Sequence, residues 1–83
     1  MADIGTLAQI DKVDQMEREL SGLRRSVALA LRFQRESALL SLRDVAVKVR
    51  LTPAALSNLE RGKSWRTKTA RRVAEFYSKL DAA

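Results

Sequence analysis

Eighty-three residues are enough for one small domain, or one domain and an arm, since a chain this short buries only about 60% of its unfolded surface. With 46% hydrophobic residues it can form a core; with no Cys and no His it has no disulfide, no thiol chemistry, no zinc finger and no Ser-His-Asp or Cys-His triad. The net charge of +6 is uneven: residues 1–23 sum to −3 and residues 24–83 to +9, so a basic body carries an acidic N-terminal segment.

Three glycines and one proline favour an all-α chain, and no strand-like alternation, internal repeat or low-complexity tract interrupts it. The longest wholly apolar run, Val27–Leu31, is too short to cross a bilayer, and the first twenty residues lack the apolar block of a signal peptide. A soluble, cytoplasmic protein is expected. A basic amphipathic helix at 67–80 leaves a weak case for a membrane surface.

The first element is a helix over about Thr6–Leu20. Val13, Met16, Leu20, Leu23, Val27 and Ala30 follow each other at spacings of three and four, a heptad stripe that must be covered by something. Gly22 lies inside it. Either the helix runs through at a cost of about 1 kcal/mol, or Ser21 caps a new helix. Residues 1–22 are therefore expected to form an acidic helical arm, and residues 23–83 the domain.

The next segment spans about Leu23–Ser37, with Val27, Ala30, Leu31 and Gln34 sharing a face. Ser41 then reads as the N-cap of a helix over Leu42–Val49, whose inner side carries Leu42, Val45, Ala46 and Val49. Thr52-Pro53 opens another helix, Thr as cap and Pro at the first helical position, and Gly62 ends it. Leu56 and Leu59 turn inward. A basic loop with the only Trp follows, and the last helix, Thr67–Leu80, presents Ala70, Val73, Ala74, Tyr77 and Leu80 on one side. The prediction is a compact bundle of four to five helices with an N-terminal amphipathic arm.

Only Arg50 and Leu51 separate segment 41–49 from segment 52–61, which forces a steep crossing of two short helices. Ala46 is small where the second helix passes, and Leu51 plugs the corner. In this stretch, and above all in Leu-Ser-Asn-Leu-Glu-Arg-Gly at 56–62, the chain resembles the Cro and phage-repressor family of helix-turn-helix DNA-binding regulators. The likeness runs from about Leu31 to Tyr77. Departures are Arg50 and Leu39 where the family favours Gly, Leu42 where it often has Gln, and no fifth helix after the fourth.

The resemblance implies that helix 53–61 enters the major groove of double-stranded DNA. Pro53, Ala54 and Asn58 match the main base-reading positions, with Ala55 and Ser57 beside them; all five are expected to be exposed. Asn pairs bidentately with adenine and Ala touches the thymine methyl, so direct readout is modest; Ala54 and Ala55 are also simply good helix formers. Arg61, Lys63, Trp65, Arg66 and Lys68 match the loop that follows the phosphate backbone, with Ser41, Arg43, Lys48 and Thr52 as further backbone contacts. Trp65 either closes the core or donates its indole N–H to a phosphate. Arg35 and Glu60 match a structural ion pair.

The arm either folds back on its own domain or pairs with that of a second subunit through Ile10, Val13, Met16, Leu20 and Leu23, with Phe76 as a further dimer contact. The function expected is a homodimeric, sequence-specific repressor of a mobile-element, plasmid or phage operon, bound to a palindromic operator. The other reading is a helix-turn-helix antitoxin or interaction module whose main partner is a protein. No cofactor or metal is expected, no residue pattern supports an enzyme, and four aromatic residues provide no stacking platform for RNA.

Overall fold

The computed structural model describes the backbone of residues 4–82 and the side chains of residues 5–80. It contains four helices: α1 (Ile4–Ser37), α2 (Leu42–Val49), α3 (Pro53–Glu60) and α4 (Thr67–Ala82). The outermost ends of the two units expected from the sequence, residues 1–3 and 83, lie outside the described residues.

Helix α1 does not break at Gly22. It runs 34 residues, about 50 Å at 1.5 Å per residue, so the two segments expected at 6–20 and 23–37 are one element. A methyl group at Gly22 would meet nothing within 4 Å. Residues 5–27 of α1 are exposed throughout, and burial begins only at Ala28. The molecule is accordingly long, 59 × 24 × 17 Å, with a radius of gyration of 16.9 Å. A globule of this length would have about 12 Å. The difference is the projecting half of α1.

The core lies where the last third of α1 meets the other three helices. Leu31, Val45, Ala46, Val49, Leu56, Leu59, Ala70, Val73 and Tyr77 form it, with Leu40, Leu42, Leu51, Trp65 and Phe76 packed around the edge. Two expected faces are corrected here. On α1 the inward residues are Ala28, Leu31 and Arg35, while Val27, Ala30 and Gln34 are exposed. At 3.6 residues per turn, the heptad line through Val13–Val27 stands about 70° round the helix from the core-facing line. One helix thus carries two apolar stripes for two different surfaces. On α4, Ala74 and Leu80 are exposed, and the buried line is Ala70, Val73, Tyr77.

Local chemistry sets the helix ends. Ser41 Oγ accepts from the Asp44 N–H at 3.0 Å, and the Ser41 N–H donates to Asp44 Oδ2 at 3.1 Å, a reciprocal capping box. Hydrogen bonds to its carboxylate, from the Ser41 backbone N–H foremost and then the Ser41 hydroxyl, hold Asp44 below its ordinary pKa. Thr52 Oγ1 accepts from the Ala55 N–H at 3.0 Å, and Pro53 occupies the first turn of α3.

The C-terminal ends of α1, α2 and α3 close in the same way. The N–H groups of Leu40, Leu51 and Lys63 reach back to the carbonyls of Arg35, Ala46 and Asn58, five residues earlier. The residue before each is left-handed: Leu39 at φ 59°, Arg50 at φ 59° and Gly62 at φ 70°. These are Schellman closures, in which the left-handed site is ordinarily Gly. Leu39 and Arg50 stand at the very positions where the resemblance led one to look for glycine, and the backbone keeps the glycine conformation at a cost of about 1 kcal/mol each.

Candidate functional site

The second of the two short helices, α3, is held from behind. Leu56 and Leu59 are buried against α1 and α2, and Leu51 fills the corner between α2 and α3. At the C-terminal end of α3, Glu60 faces Arg35 of α1. Arg35 Nε donates to Glu60 Oε2 at 2.8 Å and Arg35 Nη2 to Glu60 Oε1 at 3.0 Å. The third donor, Nη1, reaches the Leu40 carbonyl at 3.0 Å. The side chains are only 13% and 4% exposed. One guanidinium therefore ties α3 to α1 and to the turn before α2, and its pKa is raised by the hydrogen bonds to Glu60.

The outer side of α3 is graded rather than uniformly exposed. Pro53 and Ala54 are open to solvent, but Ala55, Ser57 and Asn58 are half-buried, a correction to the expectation for these five. Ala55 and Asn58 line a shallow groove with Ser64, Arg66 and Thr69, because the loop after α3 folds back along it. Asn58 Oδ1 also receives a long, weak 3.5 Å contact from Arg61 Nη2, leaving its amide N–H groups available. A ligand edge entering here would meet a small apolar step at Pro53-Ala54, then the Ser57 hydroxyl and the Asn58 amide.

Cations surround this helix. Among the described residues, Arg43, Lys48, Arg61, Lys63, Arg66 and Lys68 take part in no ion pair. They fall into distinct groups. Arg61 and Lys63 join Arg24 and Arg25 of α1, with Ser21 and Trp65, around a polar cleft. Arg66 flanks the Asn58 groove. Lys48 stands apart, in a cleft between the end of α2 and α4 with Arg50, Arg72, Phe76 and Lys79, and there the Glu75 carboxylate offsets part of the charge. Around the first cleft, Arg24, Arg25, Arg61 and Lys63 stand together with no carboxylate among the lining residues, so the surface there has a positive potential suited to an anion.

Arg24 and Arg25 were not among the residues singled out from the sequence. The adjacent pair of arginines at the point where charge changes sign was the available signal. What hid it was the packing of α1 against α3, which brings these side chains alongside Gly62, whose Cβ position would lie 3.9 Å from the Arg25 Cα.

The Trp65 ring is half-buried against the core edge, and its Nε1–H donates to Thr67 Oγ1 at 3.3 Å, at the start of α4. The hydroxyls of Ser41 and Thr52 both accept from capped N–H groups, and the Ser41 hydroxyl also serves the Asp44 carboxylate. Ile10, Val13, Met16, Leu20 and Leu23 lie together along the free part of α1 and remain uncovered. Phe76 does not join them. It packs at the core edge beside α2, its ring centroid 5.6 Å from that of Tyr77.

No group of three or more metal-ligating side chains occurs among the described residues, and no helix there is long and apolar enough to cross a membrane. A helix-turn-helix family model matches residues 31–79, from the point where α1 enters the core to near the end of α4. No curated protein and no solved structure matches the chain.

Proposed function

Because the chain belongs to the Cro/phage-repressor type helix-turn-helix family of DNA-binding regulators, we propose that it is a homodimeric, sequence-specific transcriptional repressor. Helix α3 enters the major groove with Pro53, Ala54 and Ala55 at the bases and Ser57 and Asn58 as the polar readers. Arg61, Lys63, Trp65, Arg66 and Lys68, with Ser41, Arg43, Lys48 and Thr52, follow the phosphates. The anion cleft adds Arg25 to that set. The observation that carries the reading is the outer side of α3: small and nearly chargeless itself, flanked by unpaired cations, and braced from behind by Arg35–Glu60.

With so few donors on α3, base contacts supply little of the affinity. The phosphate term and the pairing of two subunits supply the rest. A dimer reads a palindromic operator whose half-sites lie about 10 base pairs apart, or a multiple of that. Such a protein works in the cytoplasm of a bacterium, on a chromosome, plasmid or phage genome.

The test is a gel-shift titration on the DNA flanking its own gene, with excess unrelated duplex as competitor. Retained, stepwise shifts are the expected result. Binding lost equally to any duplex leaves only the electrostatic term and overturns the operator at that locus. The uncovered stripe on α1 favours one further reading, an antitoxin that grips a partner protein. A chain that stays monomeric alone and on DNA would support it.

A further inference from the structure

The free half of α1 carries Ile10, Val13, Met16, Leu20, Leu23 and Val27, between 37% and 64% exposed, and no part of the described chain covers them. Most helical stability in proteins comes from packing an apolar face, so a projecting helix with such a stripe calls for a partner surface. Val13, Leu20 and Val27 fall at heptad position a, Met16 and Leu23 at d. A groove lined by Val13, Met16, Glu17, Glu19, Leu20 and Leu23 runs along it. Gly22 falls at position c, on the outer side, where its missing side chain costs no packing.

The charged residues beside the stripe select the occupant. Lys12 and Glu19 stand at position g, Glu17 and Arg24 at position e. Lys12, Glu17 and Arg24 form no ion pair within the described chain, and Glu19 has only a 3.5 Å contact from Gln15. In a parallel, in-register pair, each g residue meets the e residue five positions on in the other helix. Lys12 then meets Glu17 and Glu19 meets Arg24, opposite charges both times. Two-fold symmetry makes four such pairs.

Antiparallel pairings do worse. Setting Leu20 against Met16 of a second copy places Glu17 on Glu17 and Glu19 on Glu19, a like-charge clash. Sliding by one heptad one way pairs Glu17 with Arg24 but strands Lys12 and Glu19; the other way pairs Lys12 with Glu19, strands Glu17 and Arg24, and sets Gln9 and Thr6 against Leu20 and Leu23.

We infer that α1 forms a parallel, in-register, two-stranded coiled coil with α1 of a second copy of this chain, over about residues 12–27. The inference rests on the homodimeric reading above and adds its geometry. Both domains then emerge at the same end of the coil, related by a two-fold axis along it. That is the symmetry a palindromic site demands.

The chain has no cysteine, so single cysteines report distances cleanly. Val13→Cys and Leu23→Cys should each form an intermolecular disulfide under mild oxidation, while Gln15→Cys on the outer face should not. Any antiparallel register holds at least one of positions 13 and 23 about 15 Å or more from its copy. Cross-linking at only one of them, or at neither, overturns the inference.

Sedimentation equilibrium of the unaltered chain without DNA should give a dimer. Arg24→Glu should weaken it about tenfold, and combining it with Glu19→Arg should restore it. A monomer, or a dimer indifferent to Arg24→Glu, also overturns the coil. Gel shifts with the unaltered chain and the two cysteine variants, which leave every cation of the cleft in place, keep the two readings apart. Specific DNA binding by a monomer removes the coil and leaves the regulator, whereas a cross-linked dimer without specific binding does the reverse.

Discussion

Arg35 and Glu60 are joined by two parallel hydrogen bonds of 2.8 and 3.0 Å across 25 residues of sequence, at a site where both side chains are largely withdrawn from water. Two charges in that setting are costly apart and compensated together. Deleting either leaves the other buried without a partner. Arg35→Ala and Glu60→Ala should each lose about 3 kcal/mol in urea unfolding, and Arg35→Lys should recover only part, since ammonium lacks the planar fork. An unchanged melting curve for Arg35→Ala would refute the bracing role.

Tyr77 presents the opposite case. Its ring is buried in the core, and its hydroxyl has no hydrogen-bond partner among the described residues. Tyr77→Phe should therefore be neutral or stabilising, by up to about 1 kcal/mol. Burial, with the Glu60 carboxylate adding to it, pushes the phenol up to about 12. The folded state thus holds this proton longer than the unfolded chain, whose phenol titrates near 10. The Tyr77 contribution is complete below pH 10 and is lost as pH rises from about 10 to 12. Chemical denaturation across that range should show this loss in the parent protein and not in Tyr77→Phe.

Leu39 and Arg50 sit in left-handed backbone that glycine adopts freely. Leu39→Gly and Arg50→Gly should each raise stability by about 1 kcal/mol, visible as a melting temperature several degrees higher. The two closures are separate in structure, so the gains should add. A loss of stability in Leu39→Gly would show that the exposed leucine is covered by something in solution.

Gly22 offers room for a methyl group and no reason for its own presence in a helix. Gly22→Ala should stabilise α1 by about 1 kcal/mol and increase helical circular dichroism. The domain core, which begins at Ala28, should keep its own unfolding midpoint at concentrations where the chain is monomeric.

Contacts to bases and to phosphates separate by their response to sequence and salt. Asn58→Ala should cost about 1–3 kcal/mol on the specific site and relax the preference at one base pair. Lys63→Ala and Arg25→Ala should weaken binding to all duplexes alike and lower the salt slope by about one each. An Arg25→Ala variant with the parent's salt slope would remove α1 from the phosphate-binding set.

Much of this was legible in the one-dimensional pattern because it depends on near neighbours. Ser41 before Leu42, Thr52 with Pro53, and Gly62 after Glu60 mark helix ends by bonds that span three to five residues. Leu56 and Leu59 had to turn inward once a steep two-helix turn was given. The charge step near residue 23 is read from the residues alone, with no knowledge of folding.

What tertiary structure alone decided concerns the relation between distant segments. Whether the chain bends at Gly22 depends on a balance of about 1 kcal/mol, too small for local pattern to resolve. Once α1 packs against α3, Arg24 and Arg25 come to stand beside Arg61 and Lys63, a cluster no spacing rule foretells. The same holds for the half-burial of Ala55, Ser57 and Asn58, set by how the 61–66 loop returns along α3. It holds also for the two stripes of α1, one spent on the core and one left open. Local bonding chose the elements; long-range packing, which no single segment encodes, chose which of their faces remain free to bind.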